Sequence, residues 1–469
     1  MSFLVLTRLG YLSTLCLGAS VAFAQQTDDI MDGGPVLTFG IASTVSVVDN
    51  YNLRPDGGDS AELFDNRLSL GYLNQRANDV LKLDLDGVLR GVEPPGGTSR
   101  TFDDPRLRLT YDRQSANSSL SASAEYRLSS VNFLDPFDRS GFFNDQPLDE
   151  RDLTLDEGDV EQIATRFALT TGLNDPIGFT LEGRYREQNY YDTTDPGLFN
   201  SRNFGFTGTT RFDLSAVSEA RVVLGYDDYS ADDALQTNRQ TSSFSLGFTT
   251  ALSKVDTLDV SVGYQNIEED TILGVTSTDT QGGAIGGFSL TRELTRGTIG
   301  TSFDLRQSVN GNTSTWLFNR DMPLPRGAID FSVGVTSDVS GTLHPVGSVD
   351  FTHEMPRSTL TLTLQRQVAT STLSNELLTT RAALGYTYEI NTLSSLTLQA
   401  DFAEINQAGG PAVSDTTRAN LTATYNHALT RDWQISSGYE YRMRDETGFG
   451  TATSNRVFVT LGREFVVRP

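Results

Sequence analysis

After Ala24 no apolar run approaches the roughly 18 residues that a membrane-crossing helix needs, so a bundle of transmembrane helices is excluded. Cysteine is nearly missing. The single Cys16 lies in the first 24 residues, and Ser13-Thr14-Leu15 before it lacks the small residue of a lipoprotein cleavage site. The rest of the chain has no thiol for a disulfide framework or a Cys-based metal site. Histidine is scarce too: His344, His353 and His427 show no metal-ligand spacing, so no metal and no cofactor is expected. Positive charge is in deficit. Lys and Arg number 36 against 60 Asp and Glu, a net charge of −24, which excludes a general affinity for nucleic acid or anionic lipid. No linker, low-complexity run or composition shift divides the chain, so one continuous architecture is expected despite its length.

What is present begins with a leader. Residues 1–24 hold one charge (Arg8), an apolar run from Leu9 to Val21, and Ala22-Phe23-Ala24 before Gln25. That is the pattern of a secretory signal peptide with its cleavage site. The expected organisation is a signal peptide over 1–24, a short periplasmic segment over 25–34, and a barrel over 35–469.

The remainder repeats one pattern. In "VLKLDLDGVLRGV", Leu81, Leu83, Leu85 and Leu89 alternate with Lys82, Asp84, Asp86 and Arg90. "RLRLTYDR", "STLTLTLQ" and "WQISSGYEYRMR" alternate likewise. A period of two marks strands with one apolar and one polar face. A soluble sandwich alternates as well, so loop lengths decide. Tight turns are expected near 75–79, 115–117, 173–176, 214–217, 253–255, 294–297, 323–326, 355–358, 391–394 and 430–432. Looser polar connections fall between most of them, at 49–62, 92–104, 132–160, 191–202, 228–238, 269–279, 405–415 and 444–453. Alternating short and long connections are the habit of outer-membrane barrels, with short turns on the periplasmic side. Ten turns join twenty strands. Adding a first strand near 35–48 and a last near 451–467 gives an all-β, antiparallel up-and-down transmembrane barrel of 22 strands. Short turns near 309–313 and 337–341 leave 20 or 24 open. Aromatic residues of apolar parity fall into two girdles: Tyr111, Phe248, Tyr386, Tyr388, Tyr425, Trp433 and Phe465 near the periplasmic rim, and Tyr126, Tyr185, Tyr226, Tyr264 and Tyr441 near the outer rim.

The chain ends "VTLGREFVVRP", itself a strand pattern. A barrel in lipid cannot leave an open edge, so this last strand should pair with "PVLTFGIASTVSVV" at the start. Thr460, Gly462, Phe465 and Val467 resemble the carboxy-terminal assembly signal of Gram-negative outer-membrane proteins, although Arg468 and Pro469 follow where that signal usually stops. With the leader and the hairpin array, the chain resembles Gram-negative outer-membrane barrels of the broad porin type. The resemblance implies a cell outer membrane location, insertion by the barrel-assembly machinery, and contact with outer-membrane lipid and lipopolysaccharide. It carries no catalytic signature. The first strand begins about ten residues after the cleavage point. That spacing leaves no room before it for the plug domain of TonB-dependent receptors, the periplasmic domains of assembly-factor barrels, or the helical repeats of some polysaccharide exporters.

The expected function is a channel for small polar solutes. The alternatives are a conduit or accessory barrel for surface polysaccharide, and a non-conducting structural or adhesive barrel. Phe458, Tyr190 and Tyr191 are sugar-stacking candidates for the second. An enzyme is not expected: His344 has Ser340 and Ser348 near it in sequence, but nothing fixes a nucleophile–base geometry. Oligomeric state is not given. The candidate pore lining is Arg106, Arg108, Arg127, Arg166, Arg184, Arg186, Arg211 and Arg221, all of lumen parity on strands four to nine. Against it stands the longest outer loop, Leu134 to Glu161, with ten acidic residues and two arginines. Its Asp145, Asp149, Glu150, Asp152, Asp156 and Glu157 form a constriction if the loop folds inward, facing the arginines across the pore. The other reading is a solvated surface loop, with the arginines neutralised by neighbours such as Glu125, Glu182 and Asp213.

Overall fold

The computed structural model describes residues 34–90, 102–131, 137, 148–156, 158–272, 276–371, 374–409 and 415–468. The expected signal peptide, nearly all of the 25–34 segment, Asp145 and Glu157 lie outside the described residues. The first strands are β1 Pro35–Val48, β2 Ala61–Gln75, β3 Asp79–Arg90, β4 Phe102–Gln114, β5 Ser118–Ser130, β6 Asp159–Thr171, β7 Ile177–Tyr191 and β8 Ser201–Ser215. Then come β9 Ser218–Ala231, β10 Asn238–Ala251, β11 Asp256–Ile272, β12 Thr276–Glu293, β13 Thr298–Ser308, β14 Gly311–Leu324 and β15 Gly327–Ser337. The last are β16 Leu343–Met355, β17 Ser358–Thr370, β18 Glu376–Asn391, β19 Ser394–Gly409, β20 Thr416–Ala428, β21 Trp433–Glu446 and β22 Gly450–Val467. One helical turn, α1 Glu150–Leu153, lies in the β5–β6 connection.

Each strand pairs antiparallel with the next, and β22 returns to β1, so the 22 strands form one closed sheet. Closure follows the expected pairing of the last strand with the first. Phe39 opposes Phe465 with ring centroids 6.1 Å apart, Leu37 opposes Val467, and the Thr44 and Thr460 hydroxyls lie 2.8 Å apart. Thr460 and Gly462 share the inner face, whereas Phe465 and Val467 share the outer one.

The alternation sorts side chains by face. Leu224, Phe244, Val262, Tyr264, Val333, Leu384, Leu421 and Val457 point outward, Val262 being 64% exposed and Val457 58%. A band of bare aliphatic side chains around a closed sheet has lipid as its natural solvent. Both aromatic girdles keep this outward parity; Phe248, Tyr388, Tyr425, Phe465, Tyr226 and Tyr264 are among the exposed rings. The protein is therefore a transmembrane barrel of the outer-membrane kind, and short-turn ends are called periplasmic below.

All ten expected tight turns are present. In "ELTRGT", Gly297 has φ +74, and a Cβ there would collide with the Asp321 carbonyl oxygen. The outer connections depart from expectation in the second half. The β11–β12 connection is 273–275 rather than 269–279, because the polar residues of β11 and β12 continue the ladder. The connections at 309–310, 338–342 and 371–375 are also brief, so loop length separates the two ends only up to about β11.

The candidate channel lumen

Inside the outer half of the barrel sit residues 148–156 of the β5–β6 connection. Their turn of helix is fixed locally by a reciprocal capping box. The Asp149 carboxylate accepts from the Arg151 amide (3.3 Å), and the Asp152 carboxylate accepts from the Asp149 amide (2.8 Å). The turn then docks by burial. Leu148 and Leu153 pack with Leu377 of β18 and with Ala403 and Ile405 of β19. Leu153, Leu377 and Ala403 are 0% exposed. These wall residues have the parity opposite to the lipid-facing Leu384 and Leu398, so α1 lies within the lumen.

The other flank of α1 meets a different wall. Arg151 Nη1 donates to the Phe199 carbonyl (3.2 Å) and the Ser201 hydroxyl (3.1 Å), and its guanidinium lies 4.6 Å from the Phe199 ring centroid. Ser201 begins β8, ten strands from β18 in a ring of 22. The segment thus spans the barrel nearly along a diameter. Further out, Asp156 accepts from the Thr194 and Asp195 amides (2.5 and 2.7 Å).

The β17–β18 connection adds a second bridge. Asn375 Nδ2 donates to Glu150 Oε1 (3.0 Å). Ser374, held at φ +64, accepts from Arg239 Nη2 of β10 (2.5 Å) and donates to Glu269 of β11 (3.4 Å). Asn310 Nδ2 donates to the Ser374 carbonyl (2.5 Å). Contacts therefore run from β10 and β11 through Ser374, Asn375 and α1 to β8.

The burial of α1 perturbs its charges. Burial, with the neighbouring Asp149 carboxylate, pushes Glu150 up to about 7. Burial and Asp149 also raise Asp152, against the lowering pull of Arg381 and Arg151. Burial alone would lower Arg151, but Asp149 and further negative groups outweigh it and its guanidinium is held charged.

The eight candidate arginines share the lumen face of β4–β9, and several stand opposite one another: Arg106 and Arg127, Arg166 and Arg184, Arg211 and Arg221. Opposed like charges destabilise a sheet, so carboxylates are interleaved. Glu125 holds Arg106 (2.7 Å) and Arg108 (3.4 Å), Asp104 holds Arg127 (3.0 Å), Asp227 holds Arg184 (2.5 Å), and Asp259 holds Arg221 (2.6 Å). Arg211 pairs with Asp213. The wall is a mesh of ion pairs. The apolar side of α1 docks opposite it, on β18 and β19, while Arg151 reaches the outer end of β8 within this wall.

A second row was not visible in the sequence. Asp321 of β14 opposes Asp330 of β15, which opposes Asp350 of β16, all with lumen parity and near the periplasmic turns. None of the three has a salt bridge among the described residues. "RDMP", "AIDFS" and "SVDFT" are unremarkable alone; only strand register aligns them.

Two serine–histidine arrangements can be placed. Asp338 binds both His344 (2.9 Å) and Ser340 (2.7 Å), so the carboxylate separates serine from histidine. Ser394 Oγ lies 2.8 Å from His427 Nδ1, but Ser394 is buried and has lipid-side parity. Among the described residues no group of three or more metal-ligating side chains is assembled.

No family model and no curated protein matches this chain. Solved structures do. The apoprotein form of the FrpB iron transporter from Neisseria meningitidis overlays with a TM-score of 0.56 at 9% identity, covering 91% of this chain and 81% of that one. The open form of the ferric-catecholate import receptor Fiu from E. coli K12 gives 0.53 at 11% identity, with the same coverages. The siderophore receptor PirA from Acinetobacter baumannii gives 0.53 at 6%, covering 92% and 81%. At such identities the likeness is one of fold. It narrows the porin resemblance to what the two share, a wide closed outer-membrane barrel.

Proposed function

We propose that the protein is an outer-membrane channel for small polar solutes, narrowed at its outer end by α1 and its neighbours over 148–156. The observation that carries this reading is α1 docked across the lumen between β8 and β18–β20. Barrels of 16–18 strands already leave an aqueous channel, so 22 strands need an internal obstruction if the outer membrane is not to leak. Asp149, Glu150, Asp152 and Asp156 supply the polar side of that obstruction. The arginine mesh of β4–β9 and the aspartate row of β14–β16 supply a charged, wettable lining and set ion preference. The solved relatives in fold are named as iron transporters and receptors, which accords with a role in transport across this membrane.

The test is conductance of the refolded protein in a planar lipid bilayer under a salt gradient. Stepwise, ion-selective conductance is expected. Silence from protein shown to be folded would discard the channel.

A further inference from the structure

Five turns at the periplasmic end repeat one short pattern. "LSK" at 252–254, "LTR" at 294–296, "LPR" at 324–326, "MPR" at 355–357 and "LTR" at 429–431 each set an apolar residue two places before a cation. They lie at the β10–β11, β12–β13, β14–β15, β16–β17 and β20–β21 hairpins. On this arc the β18–β19 turn, with Leu393, lacks the cation. The β4–β5, β6–β7 and β8–β9 turns carry no Lys or Arg, so the pattern belongs to one side of the barrel. Lys254, Arg296, Arg326, Arg357 and Arg431 are exposed, and none has an ion pair among the described residues. Leu252, Leu294, Met355 and Leu429 are exposed as well. The carboxylates of the same arc are placed or engaged elsewhere. Glu293, Glu354 and Glu389 have lumen parity, like the aspartate row. Asp256 is held by Arg292 (3.1 Å) and Asp432 by Arg463 (3.7 Å). The rim is also fixed in shape. The Glu293 amide donates to the Val255 carbonyl (2.7 Å), the Glu354 amide to the Arg326 carbonyl (2.8 Å) and the Glu389 amide to the Arg357 carbonyl (2.7 Å), which ties each of these turns to the hairpin beside it.

We propose that these five turns form a binding arc for the anionic headgroups of phospholipid in the periplasmic leaflet. The inference rests on the barrel's orientation in the membrane and is independent of the channel reading. Each turn matches both halves of a lipid. The apolar side chain suits the acyl boundary, while the long Lys or Arg stem carries its charge to the phosphate. The arc continues the lipid-facing surface of Phe248, Tyr388 and Tyr425, which favours lipid over a soluble acidic protein. Neighbouring hairpin turns are two strands, about 10 Å, apart. That matches the Debye length of about 10 Å at 0.1 M salt, so adjacent cations act together on the headgroups between them. The net charge of −24 describes the whole chain, whereas screening leaves a headgroup sensitive chiefly to charges within about 10 Å.

The test is lipid selectivity of the full chain reconstituted in phosphatidylcholine. Phosphatidylglycerol and phosphatidylcholine carrying a nitroxide on the acyl chain are compared by spin resonance, which separates lipid slowed at the protein surface from bulk lipid. Phosphatidylglycerol should be slowed in preference, by about twofold averaged over the whole circumference. The preference should fade as salt rises from about 0.01 M to about 1 M and the Debye length falls from about 30 Å to about 3 Å. It should be lost when Lys254→Gln, Arg296→Gln, Arg326→Gln, Arg357→Gln and Arg431→Gln are combined. Equal slowing of the two lipids overturns the arc and leaves these turns to an acidic protein; a preference unchanged in the combined variant overturns it too. If that variant fails to fold, Trp316→Phe leaves Trp433 as the one tryptophan, two residues from Arg431. Brominated phosphatidylglycerol should then quench Trp433 more than brominated phosphatidylcholine, and Arg431→Gln should reduce the excess. Equal quenching, or an excess that Arg431→Gln leaves unchanged, overturns the proposal. Conductance enters neither readout, so a silent bilayer sinks the channel and leaves the arc standing.

Discussion

Arg184 and Arg186 alternate with outward-facing Gly183, Tyr185 and Glu187 on β7, and each has a lumen position that the chain's period of two already marked. What the period cannot mark is the partner. Asp227 reaches Arg184 from β9, two strands away, at 2.5 Å. The pair is partly exposed, so it contributes little to stability and mainly shapes the local field. Replacing Arg184 and Arg186 together with Ser removes two positive charges and leaves Asp227 unpaired. Both effects favour cations. The reversal potential under a salt gradient should move several millivolts toward the cation value with the fold unchanged, and an unmoved potential would show that the mesh is electrically silent. Glu125 and Asp213 were legible as neutralising neighbours because they lie on adjoining elements. The Asp321–Asp330–Asp350 row was not, because it exists only across three strands.

Among the elements, hairpins were the easiest to read. Each tight turn needs only two to five polar residues between alternating runs, and local sequence carries that. Outer connections were harder. At 269–272 and 276–279 the polar residues belong to the long strands β11 and β12 rather than to a loop, and only pairing distinguishes the two. α1 was the hardest, since ten acidic residues between Leu134 and Glu161 suit either water or a lumen. Residues 148–156 take their place from Leu148 and Leu153, two apolar residues finding three on a distant wall. Docking should depend on pH. Glu150 stands at about 7 when docked against an ordinary 4.5. The docked state therefore binds more protons between those values, and docking strengthens as pH falls through 7 toward 4.5. Asp149 and Asp152 on the same turn, Arg151 beside them, Asn375 from the β17–β18 connection and Arg381 from β18 are the groups around it. Channel conductance should be lower at pH 5.5 than at pH 8, changing by up to about tenfold in the docking constant per pH unit. A conductance that rises on acidification would contradict it.

At the scale of the whole molecule, one seam decides whether the barrel exists. Twenty-one of the strand pairs join neighbours in sequence, and local hairpins assemble quickly. The β1–β22 pair joins chain ends instead, Val45 opposing Val459 across most of the sequence. Until it forms, both edges present unpaired backbone groups to lipid, each costing several kcal/mol. The seam also holds Thr460, Gly462, Phe465 and Val467, the residues that resemble an assembly signal, and Thr460 and Phe465 meet Thr44 and Phe39 across it. Val459 also opposes Ser437 of β21, so β22 is a central strand once the barrel is closed. Proline at Val459 removes a ladder donor from such a strand, a position proline does not tolerate. The Val459→Pro chain should refold poorly and lose the compact, heat-modifiable band of a closed barrel on gel electrophoresis. A conservative Val459→Ile at the same site should keep it. If the proline chain closed normally, the last strand would be dispensable, and the ending "VTLGREFVVRP" would need another explanation.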